Sequence, residues 1–246
     1  MSFTNPATRG FSRIEIRDYV HPMTIQGTFS KLGILLLCMS IAAASGWYTF
    51  FFIPSISSFL LVPGFIGGLI LAFLTVFRPH VARYTAIPYA LCQGICMGII
   101  SALTELSYPG ISATVVALTT ATATGMLLLY RFEIIKVTDS VKALIFSATL
   151  GLACTYFIGF LLNLFGILPS SFYESTSLGS ICFSLFAVAV AASNLLLDFA
   201  LIEESVEESL PNYMEWYGAF TILVTLIWLY FELLRLARKL AKRQDS

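Results

Sequence analysis

Charge is scarce in this chain. Asp, Glu, Lys and Arg make up 11% of its 246 residues and hydrophobic residues 58%. A soluble domain carries about 25% charge and about 45–50% apolar residues. A soluble globular fold is thereby excluded, and a mean hydropathy of +0.86 puts the chain in a membrane. Neither sign of charge dominates, since 14 Lys and Arg meet 14 Asp and Glu. No basic stripe exists for nucleic acid. Histidine is almost missing, with only His21 and His80. Neither lies deep in an apolar run, which leaves no base for a serine nucleophile. The motifs H-E-x-x-H and G-x-S-x-G are absent as well. An enzyme is not expected. Nor is a coupled transporter, because no inverted repeat or broken helix pair stands out.

Cysteine occurs five times, at Cys38, Cys92, Cys96, Cys154 and Cys182, and never as C-x-x-C. All five lie in apolar runs. The expected role is packing by a small polarizable group, with a metal or redox role as the alternative. No cofactor and no metal site are expected. The first thirty residues lack the apolar core of a cleaved signal peptide. They are expected to form a polar cytoplasmic tail, 1–30, ahead of a transmembrane domain, 31–238, and a basic tail, 239–246.

What the chain has is long apolar runs. Seven are expected to cross the bilayer: Leu32–Ile53, Phe59–Phe77, Tyr84–Thr104, Ile111–Tyr130, Ala143–Leu168, Leu178–Ile202 and Tyr217–Leu234. Each is near the ~20 residues a spanning helix needs. The fold class is therefore an all-α, polytopic membrane protein. Breaks fall at Pro54 with its serines, at Arg78-Pro79-His80, at Tyr108-Pro109-Gly110, at Pro169-Ser170-Ser171 and at Pro211-Asn212. Small residues mark close helix contacts: Gly94 and Gly98 form G-x-x-x-G, and Gly64, Gly67 and Gly68 cluster one span earlier. The threonines around Thr119–Thr124 either pack helices or line a polar path.

Lys and Arg set orientation. Arg9, Arg13, Arg17 and Lys31 precede the first span, Arg78 and Arg83 follow the second, and Arg131, Lys136 and Lys142 follow the fourth. The amino terminus is therefore expected in the cytoplasm. The end of the chain departs from the pattern, because Arg235, Arg238, Lys239, Lys242 and Arg243 follow the seventh span. If that span crosses, they lie outside. If it is re-entrant, they lie inside. A crossing is favoured, because Phe220 to Phe231 is uncharged.

Four carboxylates carry the chemistry: Asp198, Glu215, Glu105 and Glu232. Asp198 follows an uncharged run from Leu178 to Leu197. A charge inside the bilayer costs roughly 2.5–3.5 kcal/mol at a helix centre. With seven crossings, Asp198 and Glu215 are expected near the cytoplasmic side, Asp198 about one turn from its helix end. Glu105 and Glu232 are expected near the outer side. Two carboxyls in one dry site do not readily both ionise, so such a pair can hold a proton and release it when a cation arrives. Calcium favours carboxylate oxygens but needs about six to eight ligands for storage, so passage or gating fits better. The alternative is structural pairing with Arg78, Arg83 or Arg131 at the rim. The run from Glu203 to Glu208 is expected to be a solvated face.

At these residues the chain resembles the Bax inhibitor 1 family, also called the transmembrane Bax inhibitor motif family, and within it a bacterial branch. The carrying segments are YALCQGICMGIISALTELSYPGI (Tyr89–Ile111), LLLYRFEIIKVT (Leu127–Thr138) and NLLLDFALIEESVEESLPNYMEWYGAFTILVTLIWLYFELLRL (Asn194–Leu236). The resemblance implies six helices wrapped around a central seventh. It also implies a pH-sensitive calcium leak, gated by paired aspartates on helices six and seven, in a bacterial inner membrane. Asp198, in its D-x-x-x-I-E context, matches the first aspartate. The second does not carry over: aligning from LLRL puts Thr225 there, and aligning from Tyr213 puts Leu223 there. Glu215 is the expected substitute, with Glu232 the other option, and Glu105 matches the family's glutamate near the end of helix three. The expected partners are the lipid bilayer and, transiently, calcium or another cation. The alternative function is a non-transport regulator that binds another membrane protein, such as a quality-control protease.

Overall fold

A computed structural model describes residues 22–166 and 176–244. Arg9, Arg13, Arg17, His21 and the Pro169-Ser170-Ser171 break lie outside the described residues. Seven long helices follow in order: α1 (Ile25–Phe52), α2 (Pro54–Phe77), α3 (Ala82–Ser107), α4 (Ile111–Arg131), α5 (Asp139–Leu164), α6 (Leu178–Glu207) and α7 (Met214–Gln244). All seven are long and apolar enough to cross a membrane. No strand occurs among the described residues, only an isolated bridge between Pro22 and Pro211.

Most helices outrun their apolar segments, because polar side chains finish what hydropathy starts. Thr24 caps α1, its hydroxyl accepting from Gly27 N at 2.9 Å. Thr138 and Ser177 cap α5 and α6 in the same way. Each cap satisfies a backbone donor that would otherwise be orphaned. Pro54 occupies the first turn of α2 instead of a loop. Its missing N–H costs nothing there, so Ile53 alone separates α1 from α2. Gly110 adopts φ +86° before α4, a backbone that a residue with a Cβ rarely takes. The acidic run through Glu207 forms the last turns of α6, and α7 stays helical through residues 239–244. At ~1.5 Å per residue, the 31 residues of α7 extend about 46 Å, enough for a full crossing.

Helix α7 sits centrally, with its apolar window 61% buried, and packs against α1, α3, α4 and α6. Phe220, Leu223 and Leu229 on α7 meet Leu35 of α1, Tyr89 of α3 and Leu195 of α6 in the main core. Helix α2 is the opposite case. Its window is 11% buried, and Phe59, Phe65, Phe73 and Phe77 point outward. In water that surface would aggregate, but in hydrocarbon it is already solvated.

Helices α1 and α3 meet backbone to backbone. A Cβ on Gly98 would lie 2.0 Å from Ala43 O, one on Gly94 2.5 Å from Met39 O, and one on Gly46 2.4 Å from Ile95 O. The G-x-x-x-G motif thus faces a complementary small-residue strip on α1. The threonines of α4 turn inward to their own helix: Thr119 and Thr120 donate to the carbonyls of Val115 and Val116 at 2.8 and 2.9 Å.

Gly98→Ala is expected to lower stability by about 1–3 kcal/mol, the usual cost of overpacking. Gly125→Ala, with nothing within 4 Å of its new Cβ, should not lower it. Thermal unfolding in detergent micelles distinguishes the two.

Candidate functional site

Helix α6 carries Asp198 into the bundle facing α7. The polar groups opposite it are the hydroxyls of Thr225 and Thr221, with Tyr217 also within electrostatic reach. The spacing of four from 217 to 221 to 225 puts all three on one face of α7. Thr221 donates its hydroxyl proton to Gly218 O at 2.9 Å. Thr225 is buried. Neither closes a hydrogen bond onto Oδ2 of Asp198, which is buried and has no partner among the described residues. An unpartnered buried polar oxygen costs free energy unless a proton or a cation reaches it.

Asp198 also borders a groove of about 610 Å³ between α5 and α6, lined by Lys142, Phe146, Asn194, Leu201 and Glu204. Asn194 is held in place, donating to Thr149 Oγ1 at 2.8 Å and Val190 O at 2.9 Å. Lys142 and Glu204 form an exposed ion pair of 3.2 Å beside the groove. The groove lies toward the end of the bundle where α4 closes at Arg131 and the loop after it carries Lys136. Asp198 therefore has two surroundings, a dry threonine face on α7 and a groove with charged residues on its wall.

Glu215 is not brought to Asp198. It is 2% exposed and accepts from Thr24 N at 2.9 Å and Thr24 Oγ1 at 2.8 Å. It also pairs with the ammonium of Lys31, which lies 5.8 Å from the Trp216 ring centroid. The approach is close: a Cβ on Gly27 would lie 2.3 Å from Glu215 Oε1. Glu215 thus pins the start of α1 to the start of α7, assisted by Met23 N donating to Leu210 O at 2.8 Å. The expected shared depth also differs. Asp198 faces residues 221 and 225, about 9–15 Å along α7 from Glu215 at ~1.5 Å per residue. Helix α6 runs on from Asp198 to Glu207, which makes about two and a half turns where one was expected.

The carboxylates expected near the other side, Glu105 and Glu232, are likewise engaged separately. Glu105 accepts from Gly110 N at 2.5 Å and Ser112 N at 3.1 Å. It so ties the end of α3 to the start of α4, a favourable place for negative charge. Glu232, 1% exposed, accepts from Tyr156 at 3.0 Å, from Trp228 Nε1 at 3.1 Å and from Arg235 at 3.0 Å. Neither Arg78 nor Arg131 pairs with Asp198 among the described residues. Arg78 ends α2, and Arg131 borders a surface hollow with Glu203 and Glu207.

Lys31 and Tyr156 were invisible as site residues. Lys31 counts in the sequence only as a topology charge, and Tyr156 only as one aromatic among many. The i,i+3 spacing of Glu232 and Arg235 was a usable signal for their pairing. Asp198 with two threonines offers too few ligands for a resident calcium ion. The arrangement can accept a proton or hold a cation briefly.

Lys31→Met should destabilise the protein by on the order of 3 kcal/mol, because it leaves the Glu215 charge buried without its cation. Lys142→Met, at an exposed pair, should cost under about 1 kcal/mol. Unfolding midpoints in one detergent give the comparison.

The family model described as Bax inhibitor 1 like matches residues 3–242. No curated protein matches the chain. The match takes in all seven helices and both ends of the bundle described above, so this multi-pass membrane protein belongs to the Bax inhibitor 1-like family.

Proposed function

We propose that the protein is a pH-modulated cation leak channel, with calcium as its main ion and Asp198 as its gating carboxyl. The observation that carries this is the buried, unpartnered Oδ2 of Asp198, placed between a threonine face and an open groove. A buried carboxylate oxygen kept without a donor gains most from a proton or a passing cation. Thr225 stands where the resemblance implies a second aspartate. The gate here is one carboxyl and two hydroxyls, with Glu215 acting from a distance by holding α7 against α1. Membership of the family supports the same activity.

The proposed setting is a bacterial inner membrane with the amino terminus in the cytoplasm. Arg78, Arg83, Arg131, Lys136 and Lys142 gather at one end of the bundle, as cytoplasmic loops do. In a background lacking the five free cysteines, Lys136→Cys should react only with reagent on the cytoplasmic side. Gln244→Cys should react only from the outside. Labelling of both from one side would refute this topology.

Calcium entry into proteoliposomes, followed with a trapped dye at mildly acidic and mildly alkaline pH, tests the channel. Wild type should conduct in a pH-dependent way. Asp198→Asn should remove the pH dependence and change flux by roughly tenfold or more, the factor that about 1.4 kcal/mol makes. Flux and pH response both equal to wild type would sink the proposal. Absence of flux in wild type, with a membrane protein captured by crosslinking, would favour the regulator alternative.

A further inference from the structure

The end of the bundle opposite the Glu215 tie holds a second polar cavity. It measures about 400 Å³ and is lined by Leu103, Thr104, Ser107 and Tyr108 from the end of α3, and by Arg235, Arg238, Lys239 and Lys242 from α7. The steps from 235 to 238 and 239 and on to 242 place these four cations on one face of the helix. Two of the four, Arg238 and Lys239, have no carboxylate partner among the described residues. Arg235 is spent on Glu232, which already has Tyr156 and Trp228 as donors. Lys239 is 6% exposed, and its ammonium donates to Ser180 O at 3.3 Å, Ser180 Oγ at 2.7 Å and Ser184 Oγ at 2.8 Å. These are neutral acceptors. Among the described residues, no carboxylate lies within ion-pair distance of Lys239 or Arg238. A buried ammonium is costly without a counter-charge, and here it has two further cations beside it.

The depth of the cavity says where a counter-charge would come from. The uncharged stretch of α7 closes at Phe231, and α3 ends at Ser107 before Tyr108. Tyr108 borders the cavity, as aromatic side chains do where hydrocarbon meets headgroups. We propose that this cleft binds a phosphate group, carried by an anionic lipid headgroup or free in solution. Arg238 and Lys242 grip it at the mouth and Lys239 supports it from beneath. Arginine and lysine together suit phosphate oxygens, one by a planar fork and the other as a point charge.

The test uses the full chain, stripped of lipid in a phosphate-free detergent. It is titrated with phosphatidylglycerol, with phosphatidylcholine and with inorganic phosphate, and read by native mass spectrometry and by thermal shift. Wild type should retain one phosphatidylglycerol in preference to phosphatidylcholine. Arg238→Gln with Lys242→Gln should weaken it by roughly tenfold or more. Both side chains are exposed, so the double variant should fold. Lys136→Gln, at the other end of the bundle, should bind like wild type. A shift with inorganic phosphate alone, lost in the double variant, would support the site and make the free anion its ligand. Retention of phosphatidylglycerol without such a shift would make it a lipid site. Equal binding by wild type and double variant, an equal loss in Lys136→Gln, or no binding of either probe would overturn the proposal.

Discussion

In hydrocarbon, a polar group that finds no partner inside the protein finds none in the solvent either. That constraint sorts nearly every polar residue of the bundle. The hydroxyls of Ser40, Thr49, Thr114, Ser147, Thr155 and Ser193 each donate to the carbonyl four residues earlier on their own helix. The glutamates are each closed by donors: Glu215 by Lys31 and Thr24, Glu232 by Tyr156, Trp228 and Arg235, and Glu105 by two backbone N–H groups. Asp198 keeps an oxygen with no such closure. Against a background this thoroughly satisfied, one open carboxyl is informative.

Glu215 and Glu232 bracket α7. One sits in its first turn and the other about four and a half turns on, each joined to a different neighbour, α1 through Lys31 and α5 through Tyr156. The central helix is therefore held at two depths by charge. Between them lie its apolar face and the hydroxyl strip opposite Asp198. The negative residue at its start and the positive ones at its end also follow the direction of the helix dipole.

The seven helices were legible because apolar runs of about twenty residues have no other use at this charge density. Their ends were less so. Hydropathy stops where the hydrocarbon stops, but backbone hydrogen bonding continues into the headgroup region. Helix α1 therefore starts at Ile25, α6 reaches Glu207 and α7 reaches Gln244. Asp198 was legible as the one charge within its run. Its surroundings were not, because they depend on how far α6 and α7 extend past the bilayer. An error of one turn moves a residue by about 5.4 Å. The engagement of Glu215 was hidden for a different reason: Lys31 lies 184 positions away, and only the docking of α1 on α7 brings them together. Of the two alignments for the missing aspartate, the one that selects Thr225 agrees with the geometry, since Thr225 faces Asp198 and Leu223 lies in the core.

The glycine seam between α1 and α3 sets backbone against backbone, with little side chain between them to slide or repack. Helix α5 is joined quite differently, packing chiefly on α6 alone, with Tyr156 reaching α7. Mechanical compliance is thus unevenly spread around the bundle. One half is stiff, because separating its backbones would forfeit close van der Waals contact that lipid chains cannot replace. The other half has a wall whose apolar faces are nearly as well solvated by lipid as by protein. Any widening of the groove beside Asp198 would fall on that wall and on its Thr149–Asn194 and Tyr156–Glu232 hydrogen bonds, away from the seam that holds the fold together.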